Sequence, residues 1–269
     1  MKNNPKNECF EFKKFEIISK PCNVLMEDEW YEIADDSHFW LEWRFSAMIK
    51  QINEVGIPLY KEIKALEVGC GIGILRNRLE SKSKWIIDAI DLNQKALIKA
   101  KPGRGRTILY NVFDECDSLL EAYDVVILYD VIEHIKDTKS FLNSVLKHLK
   151  VGGFLMVDVP ALQALFSLYD KVLGHFRRYN IKTLTNEFRG LNIKIIDIRY
   201  WGLFLLPLLI LRKIIMFFIK KDNKVITQTG FKPPSIFINK ILHVLMRVET
   251  RFLNKPFLGT SLLMISRKK

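Results

Sequence analysis

Glu67 stands two positions ahead of a run of alternating glycines, Gly69-Cys70-Gly71-Ile72-Gly73, and a second acid, Asp91, closes the next apolar run. Residue types at this spacing can hold a ligand. Gly69, Gly71 and Gly73 let the backbone turn tightly and approach a bound molecule. Apart from Glu67, residues 65–68 are apolar and flanked by polar residues, as a buried parallel strand should be, and a helix is predicted from about Ile74. The loop thus opens a helix N-terminus, where free N–H groups and the helix dipole favour a carboxylate or phosphate.

Two cofactor classes use such a loop, and spacing separates them. A dinucleotide fingerprint, G-x-G-x-x-G, sets a pyrophosphate on the helix N-terminus. Here the pattern is E-x-G-x-G-x-G, and the Glu67 carboxylate would face a ligand already carrying two negative charges. A cation suits it better. S-adenosyl-L-methionine offers an ammonium and a sulfonium, and the pattern resembles the first motif of class I S-adenosylmethionine-dependent methyltransferases. Asp91, ending Ile87-Asp88-Ala89-Ile90-Asp91-Leu92, stands where an acid can accept both ribose hydroxyls.

Further matches to that family follow in order. Residues 123–129 read as a buried strand, followed directly by Asp130-Val131-Ile132-Glu133-His134-Ile135, which resembles the D-V-x-E-H-I segment of small-molecule members. Leu149-Lys150-Val151-Gly152-Gly153 is expected to end a helix, the glycine pair supplying its C-cap, before a strand over 154–159. Asn111 follows the run 106–110, at the position where many relatives carry an acid or amide near adenine. The resemblance therefore implies a cofactor-binding set of Glu67, Gly69, Cys70, Gly71, Gly73, Asp91, Leu92, Asn111, Val112 and Tyr129.

The implied fold is α/β, a doubly wound, seven-stranded and mostly parallel sheet. A helical cap is expected over 1–58, a cofactor-binding core over 59–200, a helical insertion over 201–255 and a final edge strand within 256–269. In this fold the last two strands, here predicted at 192–199 and 261–266, form an antiparallel hairpin. The four cysteines, Cys9, Cys22, Cys70 and Cys116, lack C-x-x-C spacing, so neither a zinc knuckle nor a disulfide framework is suggested. Residues 1–20 carry no apolar stretch of the signal-peptide kind, and a cytoplasmic protein is expected.

Charge is unevenly distributed. The chain carries 42 Lys plus Arg against 30 acids, and residues 201–269 alone hold 13 bases and 2 acids, Asp222 and Glu249. These bases punctuate long apolar runs instead of interleaving with stacking residues, so nucleic acid is excluded as the preferred partner. The run 201–219 is interrupted by Arg212-Lys213 and bent at Pro207, which argues against a spanning helix of roughly 20 apolar residues. With residues 236–252 it reads as two helices lying at an anionic membrane surface, on the inner face. The alternative is that both helices pack on the core or on a second subunit.

Residues flanking the cofactor motifs supply the substrate side. Asp35-Asp36-Ser37-His38-Phe39-Trp40-Leu41-Glu42-Trp43-Arg44 is predicted to begin a helix with Asp36 or Ser37 as N-cap, and a similar H-F-W with a following arginine occurs in some bacterial members. Trp40 could shield a methyl group from water. The run Asp170-Lys171-Val172-Leu173-Gly174-His175-Phe176-Arg177-Arg178-Tyr179 resembles one subgroup of these enzymes. His175 could accept a proton, with His134 as the other candidate base. Arg177, Arg178 and Tyr179 could hold an acceptor's anion, or Asp170 and the arginines could form a structural ion pair. No histidine spacing here suggests a metal site.

The reading is a methyltransferase acting by O- or C-methylation on a small or lipid-linked acceptor. Two other classes are weighed against it. A nicotinamide-dependent oxidoreductase is opposed by Glu67, and a non-catalytic membrane adaptor on the same scaffold would show no turnover.

Overall fold

Short apolar runs alternate with helices, and this alternation lets successive strands lie parallel, because each helix carries the chain back across the sheet. The computed structural model describes residues 14–20, 39–218 and 236–269. Strands β2 (Lys64–Val68), β3 (Ile86–Asp91), β4 (Thr107–Leu109), β5 (Tyr123–Tyr129) and β6 (Leu149–Pro160) are parallel and lie in the order β4-β3-β2-β5-β6. From β2 the chain moves outward through β3 to β4, then crosses to β5 on the other side. That reversal opens a crevice at the carboxyl ends of β2 and β5, the place where open α/β sheets bind ligands.

Helices cover both faces. In chain order they are α1 (Phe39–Val55), α2 (Ile74–Lys82), α3 (Gln94–Lys99), α4 (Thr138–His148), α5 (Leu168–Val172), α6 (Ile181–Glu187), α7 (Leu206–Phe218) and α8 (Ile236–Phe252). Alternate residues of β5 feed two cores: Val126 and Leu128 pack with Phe141, Leu142 and Val145 of α4, whereas Val125 and Ile127 pack with Trp43, Met48 and Ile52 of α1. Each fully buried side chain of this size stabilises the fold by roughly 1.5–3 kcal/mol.

Four expectations are corrected. The sheet has eight strands, not seven, because β1 (Glu16–Ile17) pairs in parallel with β4 at the far edge. The described part of the predicted helical cap therefore contributes to the sheet as well. Strand β8 (Ser261–Lys268) is not an edge strand: it runs antiparallel between β6 and β7 (Ile193–Trp201), and β7 holds the edge. Every residue from Ser261 to Ser266 is buried, as an inserted strand requires. Finally, α4 is capped at Leu149, whose N–H donates to the Leu146 carbonyl, and Gly152 and Gly153 lie within β6 instead.

The two expected membrane helices differ in their packing. Helix α8 lies on α1, with Leu242 and Met246 buried in the core beside Trp43 and Met48. Lys50 of α1 donates to the Thr250 carbonyl at 2.6 Å, and Glu42 pairs with His243 at 3.4 Å. Arg212 of α7 is turned inward, its guanidinium 4.3 Å from the Tyr169 ring centroid, so it does not serve as a headgroup contact. Among the described residues no helix is long and apolar enough to cross a membrane. The proposed N-caps Asp36 and Ser37 lie outside the described residues.

Candidate active site

The glycine loop is built by three backbone conformations that disfavour side chains. Gly69, Gly71 and Gly73 have φ of 75°, 53° and 76°. A Cβ on Gly69 would stand 2.8 Å from Val131 Cγ2, so the segment after β5 can close over the loop only if this residue is glycine. The N–H groups of Gly69 and Cys70 both donate to the Ile90 carbonyl, at 2.9 and 3.0 Å, which ties the loop to β3. Gly73 serves as N-cap of α2 without a side-chain cap.

Asp91 closes the arrangement from the neighbouring strand. Its Oδ2 accepts the Gly71 N–H at 2.7 Å and its Oδ1 accepts the Asn93 N–H at 2.7 Å. A carboxylate offers about four lone-pair sites, so accepting capacity for sugar hydroxyls remains. At the end of β4, Asn111 caps a short 3₁₀ turn by accepting the Phe113 N–H at 3.1 Å, with Val112 buried beside it. Leu92 is half-buried and Tyr129 ends β5. The expected cofactor residues thus lie at the carboxyl ends of four adjacent strands.

Glu67 is the electrostatic centre of this crevice. It is 5% exposed, and its Oε2 has no hydrogen-bond partner among the described residues. Burial pushes its carboxyl up to about 8, against the opposing pull of Arg76 and Arg44. A cation brought to the free oxygen would reverse that shift. Glycines that leave room for a close approach, beside an orphaned buried carboxylate, fit the ammonium end of S-adenosylmethionine.

A second acidic cluster lies alongside. Asp130 follows β5 with φ of 54°, and Asp158, fully buried on β6, accepts Trp201 Nε1–H at 2.9 Å while its Oδ2 has no hydrogen bond among the described residues. Arg44 of α1 pairs with Asp130 and lies 3.9 Å from Asp158, its guanidinium 4.5 Å from the Trp40 ring centroid and 5.7 Å from that of Tyr129. Trp40 in turn lies 6.0 Å from the Trp201 ring. Glu133 is fully buried with neither carboxylate oxygen hydrogen-bonded among the described residues, and burial followed by the charge of Asp130 raises its pKa well above the usual range. Sequence reasoning missed Asp130, Glu133 and Asp158 as site residues. An acid inside the apolar strand Phe154-Leu155-Met156-Val157-Asp158-Val159 was the available signal.

His175 and His134 are brought together. Their rings meet edge to face with centroids 4.7 Å apart. His175 Nδ1 lies 3.2 Å from Asp170 Oδ1, and the same oxygen accepts Arg178 Nε–H at 2.7 Å. Burial raises the Asp170 pKa, but the hydrogen bond from His175 and the Arg178 guanidinium outweigh it and hold this carboxyl well below the usual carboxylate range. Burial, then the nearby His175, lowers His134 to about 3, so it stays neutral at physiological pH. Glu133, His134 and His175 each bring one donor atom within 4.8 Å of the others, close enough for a metal ion to bridge them.

The other substrate-side residues have internal partners. Arg177 donates to the Ile135 and Lys136 carbonyls at 3.2 and 3.0 Å and pairs with Glu187 at 3.3 Å. Arg178 is buried and also donates to the Ala161 carbonyl at 3.2 Å. Tyr179 is buried in the core, its hydroxyl donating to the Ile132 carbonyl at 3.4 Å. Arg178 thus makes with Asp170 the ion pair that the sequence offered as one alternative, and Arg177 makes its own with Glu187.

A family model described as a methyltransferase domain matches residues 40–198, more than half of the chain. The chain belongs to the methyltransferase-domain family. The match runs from α1 into β7 and leaves α7, α8 and β8 outside. A ubiquinone biosynthesis O-methyltransferase of Rickettsia conorii is 31% identical over 122 residues, which cover 44% of this chain and 39% of that protein. Across the first such relatives the matched region spans 39% to 59% of their length. Two solved structures share the fold. One is a chain of the Haloferax volcanii complex containing the Trm112 methyltransferase activator, with TM-score 0.56 and 14% identity, covering 91% of this chain and 99% of that one. The other is phosphoethanolamine N-methyltransferase 2 of Haemonchus contortus, solved with phosphomonomethylethanolamine and S-adenosylhomocysteine. Its TM-score is 0.51 at 19% identity, covering 83% of this chain and 52% of that one.

Proposed function

We propose that this protein transfers the methyl group of S-adenosylmethionine to an oxygen of a small or lipid-linked acceptor at the inner face of a membrane. The observation that carries this reading is Glu67, a buried carboxylate with a free oxygen beside glycines that permit close approach. When bound, the cofactor supplies an electrophilic methyl on a sulfonium.

The chain's own residues would do the rest. Glu67 would receive the ammonium, Asp91 the sugar hydroxyls, and Val112 with Asn111 would border the adenine. Trp40 and Arg44 of α1, with Tyr129, would exclude water from the reacting centre, since alignment and desolvation supply most of the rate enhancement in such a displacement. His175 would take the proton of the attacking hydroxyl. Asp170 orients that ring through Nδ1. Small or amphiphilic hydroxyl acceptors suit this arrangement, in keeping with the O-methylation named for the Rickettsia conorii relative.

Isotopically labelled S-adenosylmethionine incubated with the protein and a membrane lipid extract tests the proposal, with label appearing in a lipid by mass spectrometry as the expected result. Calorimetry separates the other classes. Binding of S-adenosylhomocysteine without binding of NADH supports the reading, and the reverse selects an oxidoreductase. Cofactor binding with no labelled product from any acceptor would select the adaptor.

A further inference from the structure

We infer that the outward faces of α7 and α8 form one docking surface for an anionic lipid bilayer. The inference deepens the membrane clause of the methyl-transfer reading by naming the contact surface, and it stands on packing and charge.

Helix α8 has two apolar faces, and the core covers only one. Leu242, Met246 and Glu249 point inward, whereas Phe237, Ile241, Val244, Val248 and Phe252, at intervals of four, three, four and four, make an exposed stripe opposite them. Both phenylalanines are more than 70% exposed, at 73% and 71%. Lys240, Arg247 and Arg251 run along one flank of that stripe, and all three are exposed. Apolar side chains flanked by cations along one side of a helix match the interface between acyl chains and anionic headgroups. At 17 residues and with this charge the helix would lie on the bilayer, not cross it.

Helix α7 likewise turns apolar side chains outward. Leu208, Ile210, Leu211, Ile214 and Ile215 are exposed, while Arg212 stacks on Tyr169 and Lys213 bonds to the Ala164 carbonyl. Its cations thus hold it to the segment after β6 that carries Asp170 and His175, and its aliphatic face is left outward. The Glu249 carboxylate ties α8 to the turn that leads into α7, accepting the N–H groups of Gly202 and Phe204 at 2.5 and 3.1 Å. Glu249 is also one of only two acids among the 15 charged residues of 201–269. Its burial leaves no exposed acidic side chain among the described residues of this segment, and that charge balance selects an anionic surface.

Vesicle co-sedimentation tests the proposal with the full-length protein. Vesicles of equal parts phosphatidylglycerol and phosphatidylcholine should pellet it, and phosphatidylcholine alone should not. The exposed triple variant Lys240→Gln, Arg247→Gln, Arg251→Gln should lose about a hundredfold in partitioning, at about fivefold per cation from about 1 kcal/mol each. Val244→Asp with Val248→Asp should abolish pelleting while S-adenosylhomocysteine binding is retained as the sign of a folded chain. Wild-type binding should also weaken as salt rises. Unchanged pelleting of the triple variant, equal binding to both vesicle types, or a solution dimer broken by the aspartate variant would each overturn the proposal. The last would assign the face to a second copy. Co-sedimentation needs no methyl donor, so its failure and a failure of cofactor binding are read separately.

Discussion

The Asp91 carboxylate accepts the Gly71 N–H at 2.7 Å, so the acid expected to grip a ligand's sugar also fixes the loop expected to cradle its amino-acid end. One side chain couples the two halves of the crevice. Asp91→Ala should therefore weaken S-adenosylhomocysteine binding by roughly 1–3 kcal/mol, the range for losing a hydrogen bond to a buried or charged partner. Titration calorimetry measures it, and an affinity within twofold of wild type would remove Asp91 from the site.

Glu67 predicts a proton signature. Its carboxyl, raised to about 8, is largely protonated at pH 7, and a ligand cation favours the charged form. Binding at pH 7 should release close to one proton, and affinity should rise with pH until about 8 and then level off. Calorimetry in buffers of different ionisation enthalpy reads the proton directly. Glu67→Gln should remove the release and the pH dependence together.

The His175 and Asp170 pair predicts a split between binding and turnover. His175→Asn keeps a side-chain amide that can reach Asp170 but cannot act as a base, so turnover should fall about 10²–10⁴-fold with S-adenosylhomocysteine binding unchanged. Asp170→Asn should lower turnover as well, through a ring that is no longer held in its orientation. Turnover of His175→Asn equal to wild type would rule out this base.

Gly69 makes a stability prediction. A methyl group there meets Val131 at 2.8 Å on a backbone with φ of 75°. Gly69→Ala should cost roughly 1–3 kcal/mol, the scale of a residue forced into a sparsely populated conformation, read as a shift of the urea midpoint. Gly56, at φ of 82° but with open space around it, should tolerate alanine better, because only the backbone term remains.

What could be read from the residues alone was local chemistry. The three glycines, Glu67, Asp91 and the run of β5 declare themselves because backbone conformation and strand burial are encoded within a few neighbouring positions. Tertiary structure decided which distant groups meet. Arg44 reaches Asp130 across 86 positions, and the acid of β6 becomes part of a site only when Trp201 and α1 close over it. Two residues of β1 carry too weak a pattern to be recognised before β4 offers them an edge, and β8 reads as a buried strand without saying that it inserts beside β6. Helix α8 shows the limit most plainly. Periodicity identifies apolar faces, but which face the core covers is settled by long-range packing, since the hydrophobic effect has no direction and rewards any partner that removes the surface from water.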